Sequence, residues 1–409
     1  VADVRMEAPI PGKPAVGIEV PNHKKTPEVP GGIGEEDIVY LVLPYIHSAR
    51  EGVLRLGSLL EQYGTYEMNG IAFPAGGSPH VQDVHEIWWL ETIGGHHWMA
   101  RRVPDDSYVV MPNQLGIDSF DLDDAYGDKK DYMCSADLRE FIAANHLDLS
   151  LDGSLNPRDA FGSHDDADHV YNTPRAWYML RTLNPNTWVW DGPDADYTPR
   201  SDDLPWCMVP EKKLTPEDVK YVLSSHYQGT PYDPYASYGD KSQRGMYRSI
   251  GINRNDFMAL IQIRPDVPAE QSAIEWVAYA SNAFNTMVPF YANVTTTPEY
   301  LSCTTKEVST DSFYWVSRMI AAMTDASYSK SLIHAERYEL GVLSASRALI
   351  HQYDAKLLAE PDAGQRAALR VEANEAIAKA LKARAADTLD KVLFELSSNM
   401  KNAFARSDA

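Results

Sequence analysis

The stretch Glu86–Asp106, EIWWLETIGGHHWMARRVPDD, decides how this chain is read. Glu86–Glu91 (EIWWLE) is a short apolar run rich in aromatic residues, the composition of a strand, and His97–Arg101 (HWMAR) is a second. Gly94-Gly95 between them is a turn signal. Working outward, Gly70–Phe73 precedes this pair and Ser107–Met111 follows it, again as short apolar runs. Successive strands with short connections predict an antiparallel meander. Two later runs, Phe257–Ile263 and Ile274–Ala280, carry the same strand signal, and Ala15–Val20 reads as a short strand between prolines.

Helical spacing frames these strands. From near Glu35, Leu41, Tyr45, Ala49, Val53, Leu56 and Leu60 recur at intervals of three or four, and Tyr63–Gly64 closes the segment as a C-cap. A helix is expected over Ser135–Asn145 with Ser135 as N-cap. Another is expected over Pro216–Ser225, where Thr215 precedes proline in the first turn and Glu217 and Asp218 suit the positive helix end. After Pro361, the residues Leu369, Ala373, Ile377, Ala380, Leu381, Leu389, Val392 and Leu396 mark one face of a long helix.

Composition narrows the function. The 409 residues are 44% apolar and 23% charged, enough to build a globular body with a sizeable core. No apolar run reaches the roughly 18 residues of a membrane span, and Val1–Pro30 shows no apolar stretch of a signal peptide. A net charge of −21 disfavours a nucleic-acid partner. Three cysteines, Cys134, Cys207 and Cys303, make no disulfide framework and fit a reducing, cytoplasmic setting. No phosphate loop occurs, since Gly12-Lys13 is followed by Pro14. No zinc helix, C-x-x-C pair or nucleophile elbow occurs either, and no cofactor is expected.

The residues that can carry chemistry are few. His96-His97 is a weak metal pair, because neighbours on a strand point to opposite faces. Ser163–His169 (SHDDADH) gathers His164, Asp165, Asp168 and His169, a cluster that is either a solvated loop or a contact for a cation or a substrate ammonium. Asn113 stands just beyond a strand in MPNQ, and Arg175 stands in YNTPR. Each alone reads as turn chemistry, yet an amide can donate to a developing oxyanion and a guanidinium can fix a carboxylate or lower a thiol pKa. Cys134 precedes a helix; an inert buried thiol is the expectation for it and for the other two cysteines.

Together these runs resemble a family. GGIGEEDIVYLVLPYIHSAREGV (31–53), EQYGTYEMNGIAF (61–73), Glu86–Asp106, YVVMPNQLGID (108–118), NPRDAFGSHDDADHVYNTPRAWYML (156–180), SSHYQGTPYDPY (224–235) and SNAFNTMVPFYANV (281–294) resemble the cysteine dipeptidases, dipeptidase A type, of the N-terminal-nucleophile hydrolase superfamily. The resemblance implies an α+β fold, a four-layer αββα sandwich of two antiparallel sheets with a helical C-terminal part. It implies hydrolysis of dipeptides of broad sequence by a cysteine at the chain's first position, whose own α-amine is the base. It makes Asn113 the oxyanion-side asparagine and Arg175 a strand-borne arginine near the nucleophile. His164, Asp165, Asp168 and His169 are then expected to bind substrate at the rim, with small peptides as partners.

Two features depart from the family. Residues 1–30 are proline-rich, and Val1–Asn22 resembles a short stretch of septum-associated DNA translocases, without their motor motif. Pro74–Val81 (PAGGSPHV) looks like an inserted loop where the family has a tight turn. The organisation expected is therefore 1–30 as a foreign segment, 31–310 as the hydrolase-like body and 311–409 as a helical region. A chain that begins at Val1 lacks the nucleophile and is expected to bind dipeptides without hydrolysing them. A non-catalytic peptide-binding homologue and a translocase-related interaction module are the alternatives, and a homo-oligomer is compatible with any of these.

Overall fold

The computed structural model describes residues 31–74, 86–151 and 153–401. The segment 1–30, with its expected strand and its translocase resemblance, lies outside the described residues, as does the loop expected at 74–81 beyond Pro74. The chain forms two compact units, one up to Lys213 and one from Leu214.

In the first unit, strands β1 (Gly70–Pro74), β2 (Ile87–Gly94) and β3 (His97–Val103) form the expected antiparallel meander. The register sets Ala72 opposite Trp89 and Glu91 opposite Met99. Alternation along β2 gives the two faces different partners. Trp88 and Leu90 pack with Val53, Leu56 and Leu60 of helix Ala49–Tyr63. Ile93, on the opposite face with Trp89 and Glu91, joins a core of Leu115, Ile117, Phe161 and Trp206. Burying each of these aliphatic side chains contributes about 1.5–3 kcal/mol. The helix lies close to the sheet because Gly57 has no side chain; a Cβ there would sit 2.2 Å from the Trp98 ring.

Three local expectations change. The helical pattern from Glu35 is broken at Pro44 into helix Glu35–Val42, a 3₁₀ turn Leu43–Tyr45 and helix Ala49–Tyr63, whose cap is Ser48. The Ser107–Met111 strand shrinks to β4 (Tyr108–Val109) and leaves the meander, because Pro104 opens a turn before it and Pro112 follows. It pairs with β6 (Cys207–Met208), while β5 (Tyr132–Cys134) takes the place beside β3. The helix expected over Ser135–Asn145 begins at Leu138. Ser135 is fully buried and accepts a 3.4 Å hydrogen bond from the Trp98 amide instead of capping.

The second unit holds β7 (Phe257–Ile263), β8 (Ala273–Tyr279) and β9 (Val288–Tyr291), all antiparallel. Helices Phe313–Ala326, Tyr328–Ala359 and Ala363–Ser398 follow, so the chain after Asp311 is helical as expected. Val277, Val288 and Phe290 pack with Phe313, Ile320, Tyr338, Ile377 and Leu381. Asn374 secures the edge strand: its Oδ1 accepts from the Tyr291 amide at 2.9 Å and its Nδ2 donates to the Tyr291 carbonyl at 3.0 Å. Helix Pro216–Leu223 starts with the Thr215–Asp218 capping box. The architecture is thus mixed α and β with antiparallel sheets and a helical C-terminal part. Among the described residues, no helix is long and apolar enough to cross a membrane.

Candidate active site

A cleft of about 710 Å³ opens in the first unit. Met68, Trp89, Met111, Leu115 and Phe161 form its apolar wall, and Asn113, Asp168, Asn172 and Arg175 supply polar groups. Strand β2 delivers Trp89. The irregular segment after β4 delivers Met111–Leu115, and it can fold tightly back on itself because Gly116 has no side chain; a Cβ there would stand 2.5 Å from Met111 Sδ.

The polar wall comes from two consecutive short helices, Asp168–Tyr171 and Thr173–Leu183. Arg175 is therefore helical, a correction to the strand expected for it. Pro174 fits a first helical turn, and buried Ala176, Trp177, Tyr178, Met179 and Leu180 carry the helix onward. Asp168, Asn172 and Arg175 are spaced by four and three residues, so they share one helical face.

Hydrogen bonds run along that face and out to the loop. Asn172 Nδ2 donates to Asp168 Oδ1 at 2.6 Å, and Arg175 Nη2 donates to Asn172 Oδ1 at 2.6 Å. The same Nη2 donates to Asn113 Oδ1 at 2.8 Å, and Arg175 Nε donates to the Tyr171 carbonyl at 2.6 Å. The guanidinium also lies over the Tyr171 ring, 4.9 Å from its centroid. Asn113 itself is exposed, while Arg175 and Asp168 are buried. Because Asn113 offers its carbonyl oxygen to Arg175, its amide Nδ2 is the donor left to face a ligand.

Of the four residues expected to bind substrate, Asp168 lines the cleft; His164, Asp165 and His169 are not among its lining residues. Both histidines turn to Asp202: His169 Nε2 is 2.8 Å and His164 Nδ1 is 3.5 Å from Asp202 Oδ1. Asp165 Oδ1 accepts from the Ala167 and Asp168 amides at 2.9 Å, a turn role. The short helix at Asp168 separates these side chains, so adjacency in sequence does not become adjacency in the site. Asn172 is not among the residues that the sequence singles out; its spacing from Asp168 and Arg175 is the signal that finds it.

None of the three cysteines is among the residues lining the cleft. Burial pushes the Cys134 thiol up to about 11, and burial also raises the Cys207 thiol. Cys303 Sγ donates to the Asp311 carbonyl at 3.2 Å. His96 and His97 also part, His96 to the Glu61 carbonyl at 2.8 Å and His97 onto the Phe141 ring at 4.0 Å between centroids. Among the described residues, no group of three or more His, Cys, Asp or Glu is placed to hold a metal ion.

Comparison with known proteins places this chain in a family. The model of peptidase family C69 matches residues 18–340. A dipeptidase of Bifidobacterium longum is 52% identical, over 93% of this chain and 78% of that protein. A probable dipeptidase A of Streptococcus pyogenes is 50% identical over 93% of this chain and 76% of its own length. A probable dipeptidase B of Lactococcus lactis is 42% identical with the same coverage, 93% and 76%. The chain belongs to peptidase family C69.

Proposed function

We propose that the protein hydrolyses dipeptides in the Asn113–Arg175 cleft, by attack of a cysteine thiolate on the peptide carbonyl. The observation that carries this reading is the 2.8 Å contact between Arg175 and Asn113 at the polar wall of the cleft, in a chain of this peptidase family. A carbon–sulfur bond forms and the carbonyl oxygen becomes an oxyanion, to which Asn113 Nδ2 donates. Collapse expels the amine of the second residue, and water then hydrolyses the thioester. Arg175 fixes the Asn113 amide in its donating orientation and adds positive potential beside the developing charge. Asp168 receives the substrate's α-ammonium. None of Cys134, Cys207 and Cys303 is the attacking thiol, which in the dipeptidase A type is the N-terminal cysteine with its α-amine as base; these 409 residues do not include that cysteine, so turnover is proposed of the protein that carries it and binding alone of a chain that begins at Val1.

The four-layer αββα sandwich of the N-terminal-nucleophile hydrolases belongs to the same reading. The chemistry is tested by dipeptide hydrolysis with the full-length protein. Asn113→Ala is expected to lower kcat roughly 100-fold with KM little changed, the effect of losing one oxyanion donor. Thiol alkylation is expected to abolish turnover. Undiminished kcat in folded Asn113→Ala, or activity that survives complete alkylation, would remove this mechanism.

A further inference from the structure

Glu91 is an unusual residue for its place. It lies on the face of β2 that carries Trp89 and Ile93 against an apolar core, and it is 0% exposed. Burying a carboxyl group there is costly unless it is hydrogen-bonded. One oxygen meets that requirement: Oε1 accepts from the Gly116 amide at 2.8 Å, the Ile117 amide at 3.2 Å and the Trp89 indole at 3.1 Å.

Those donors matter because of what they carry. Gly116 and Ile117 lie in the irregular segment that runs from Val110 to Ser119 and holds Asn113. Trp89 lines the cleft from the strand side. The rest of the segment is held by a few other hydrogen bonds: Arg175 Nη2 donates to Asn113 Oδ1 at 2.8 Å, the Gln114 amide donates to the Pro112 carbonyl at 2.7 Å, Gln114 Nε2 donates to the Ser163 carbonyl at 2.5 Å, and the Ile117 carbonyl accepts from the Arg158 amide at 3.0 Å. A single carboxyl oxygen therefore ties the Asn113 segment to the strand that carries Trp89.

We propose that Glu91 is a positioning residue for hydrolysis: through the Gly116 and Ile117 amides and the Trp89 indole, it sets where Asn113 stands in the cleft. The inference rests on the reading of Asn113 as the oxyanion donor. A donor displaced by about 1 Å can cost on the order of 100-fold in rate.

The test is a double-mutant cycle on dipeptide hydrolysis by the full-length protein, with folding checked by circular dichroism and thermal melting. Glu91→Gln keeps the acceptor oxygen and is expected to stay within about fivefold of the parent kcat. Glu91→Leu removes the acceptor and is expected to lower kcat roughly 10- to 100-fold. On the Asn113→Ala background, Glu91→Leu is expected to add no more than about a threefold loss, since groups that act as a unit are not additive. A general loss of structure would multiply instead. Should Glu91→Leu fail to fold, Glu91→Asp, which withdraws the oxygen by one methylene, replaces it in the same cycle with the same expectations.

A folded Leu or Asp variant with parental kcat overturns the inference. So does a Gln variant as impaired as Leu, or losses that multiply with Asn113→Ala. If Asn113→Ala is itself silent, the reading of Asn113 falls and takes this inference with it. If Asn113→Ala is impaired and the losses multiply, the inference about Glu91 alone falls.

Discussion

Arg175 Nη2 stands 2.8 Å from Asn113 Oδ1, across 62 positions of sequence. The contact does two things at once. It orients the Asn113 amide, and through Asn172 it links that amide to Asp168 on the same helical face. The polar wall of the cleft is thus one hydrogen-bonded chain, in which each member has its partners supplied by its neighbours.

Arg175→Lys is expected to lower kcat/KM at least about tenfold, because one ammonium cannot reproduce the guanidinium's fixed fork toward Tyr171, Asn172 and Asn113. Arg175→Ala is expected to cost more, since buried acceptors are left unpaired. Steady-state kinetics with a simple dipeptide read both. A lysine variant equal to the parent would show that only charge matters at this position.

Asp168→Asn tests recognition of the substrate amine. It is expected to raise KM for a free dipeptide roughly tenfold, the size of a charge-assisted hydrogen bond. Hydrolysis of an N-acetylated dipeptide should be slow in both proteins and insensitive to the substitution. Equal losses on the two substrates would assign Asp168 to holding Asn172 rather than to the ammonium.

The internal thiols should be dispensable. Cys134→Ser, Cys207→Ser and Cys303→Ser are each expected to leave kcat within about threefold of the parent, the range of a minor packing change. Labelling of native protein near pH 8 should spare Cys134, because burial pushes its thiol up to about 11 and the thiolate is the reactive form. Rapid modification of Cys134 with loss of activity would contradict its structural role.

Glu91 predicts a pH dependence of stability. Burial raises its carboxyl to about 7, whereas an unfolded glutamate titrates near about 4.3. Between these values the folded protein binds more protons than the unfolded chain, so stability falls as pH rises. The contribution is fully present below about pH 4.3 and is lost as pH climbs through about 7. Denaturant melts of the parent and of Glu91→Gln across this window should converge or cross, their difference changing by on the order of 3 kcal/mol. A constant difference from pH 4 to pH 8 would mean that Glu91 does not titrate in this range.

Much of the local structure could be read from the chain alone. The alternation of Trp88, Leu90 and Ala100 against Trp89, Glu91 and Met99, with Gly94-Gly95 between, specifies β2 and β3, since side-chain period and turn sterics act over a few residues. The Thr215-Pro216 start and the long stripe from Leu369 to Leu396 specify their helices in the same way. The helix at Thr173–Leu183 was obscured because Asn-Thr-Pro reads equally as a turn, and only the burial of Trp177, Tyr178 and Leu180 settles the matter.

For the site, residue types and family resemblance pointed to Asn113, Arg175 and Asp168, and the tertiary structure decided what each touches. Four neighbours in SHDDADH looked equivalent, yet a helical turn sends Asp168 into the cleft and both histidines to Asp202. Glu91 looked like an ordinary polar residue in a strand. Its meaning depends on the Gly116–Ile117 segment folding over it, a contact made 25 residues away in sequence. Local pattern sets which backbone conformation is cheapest, whereas the partner of a side chain is chosen when distant faces are buried together, and no short window of sequence carries that information.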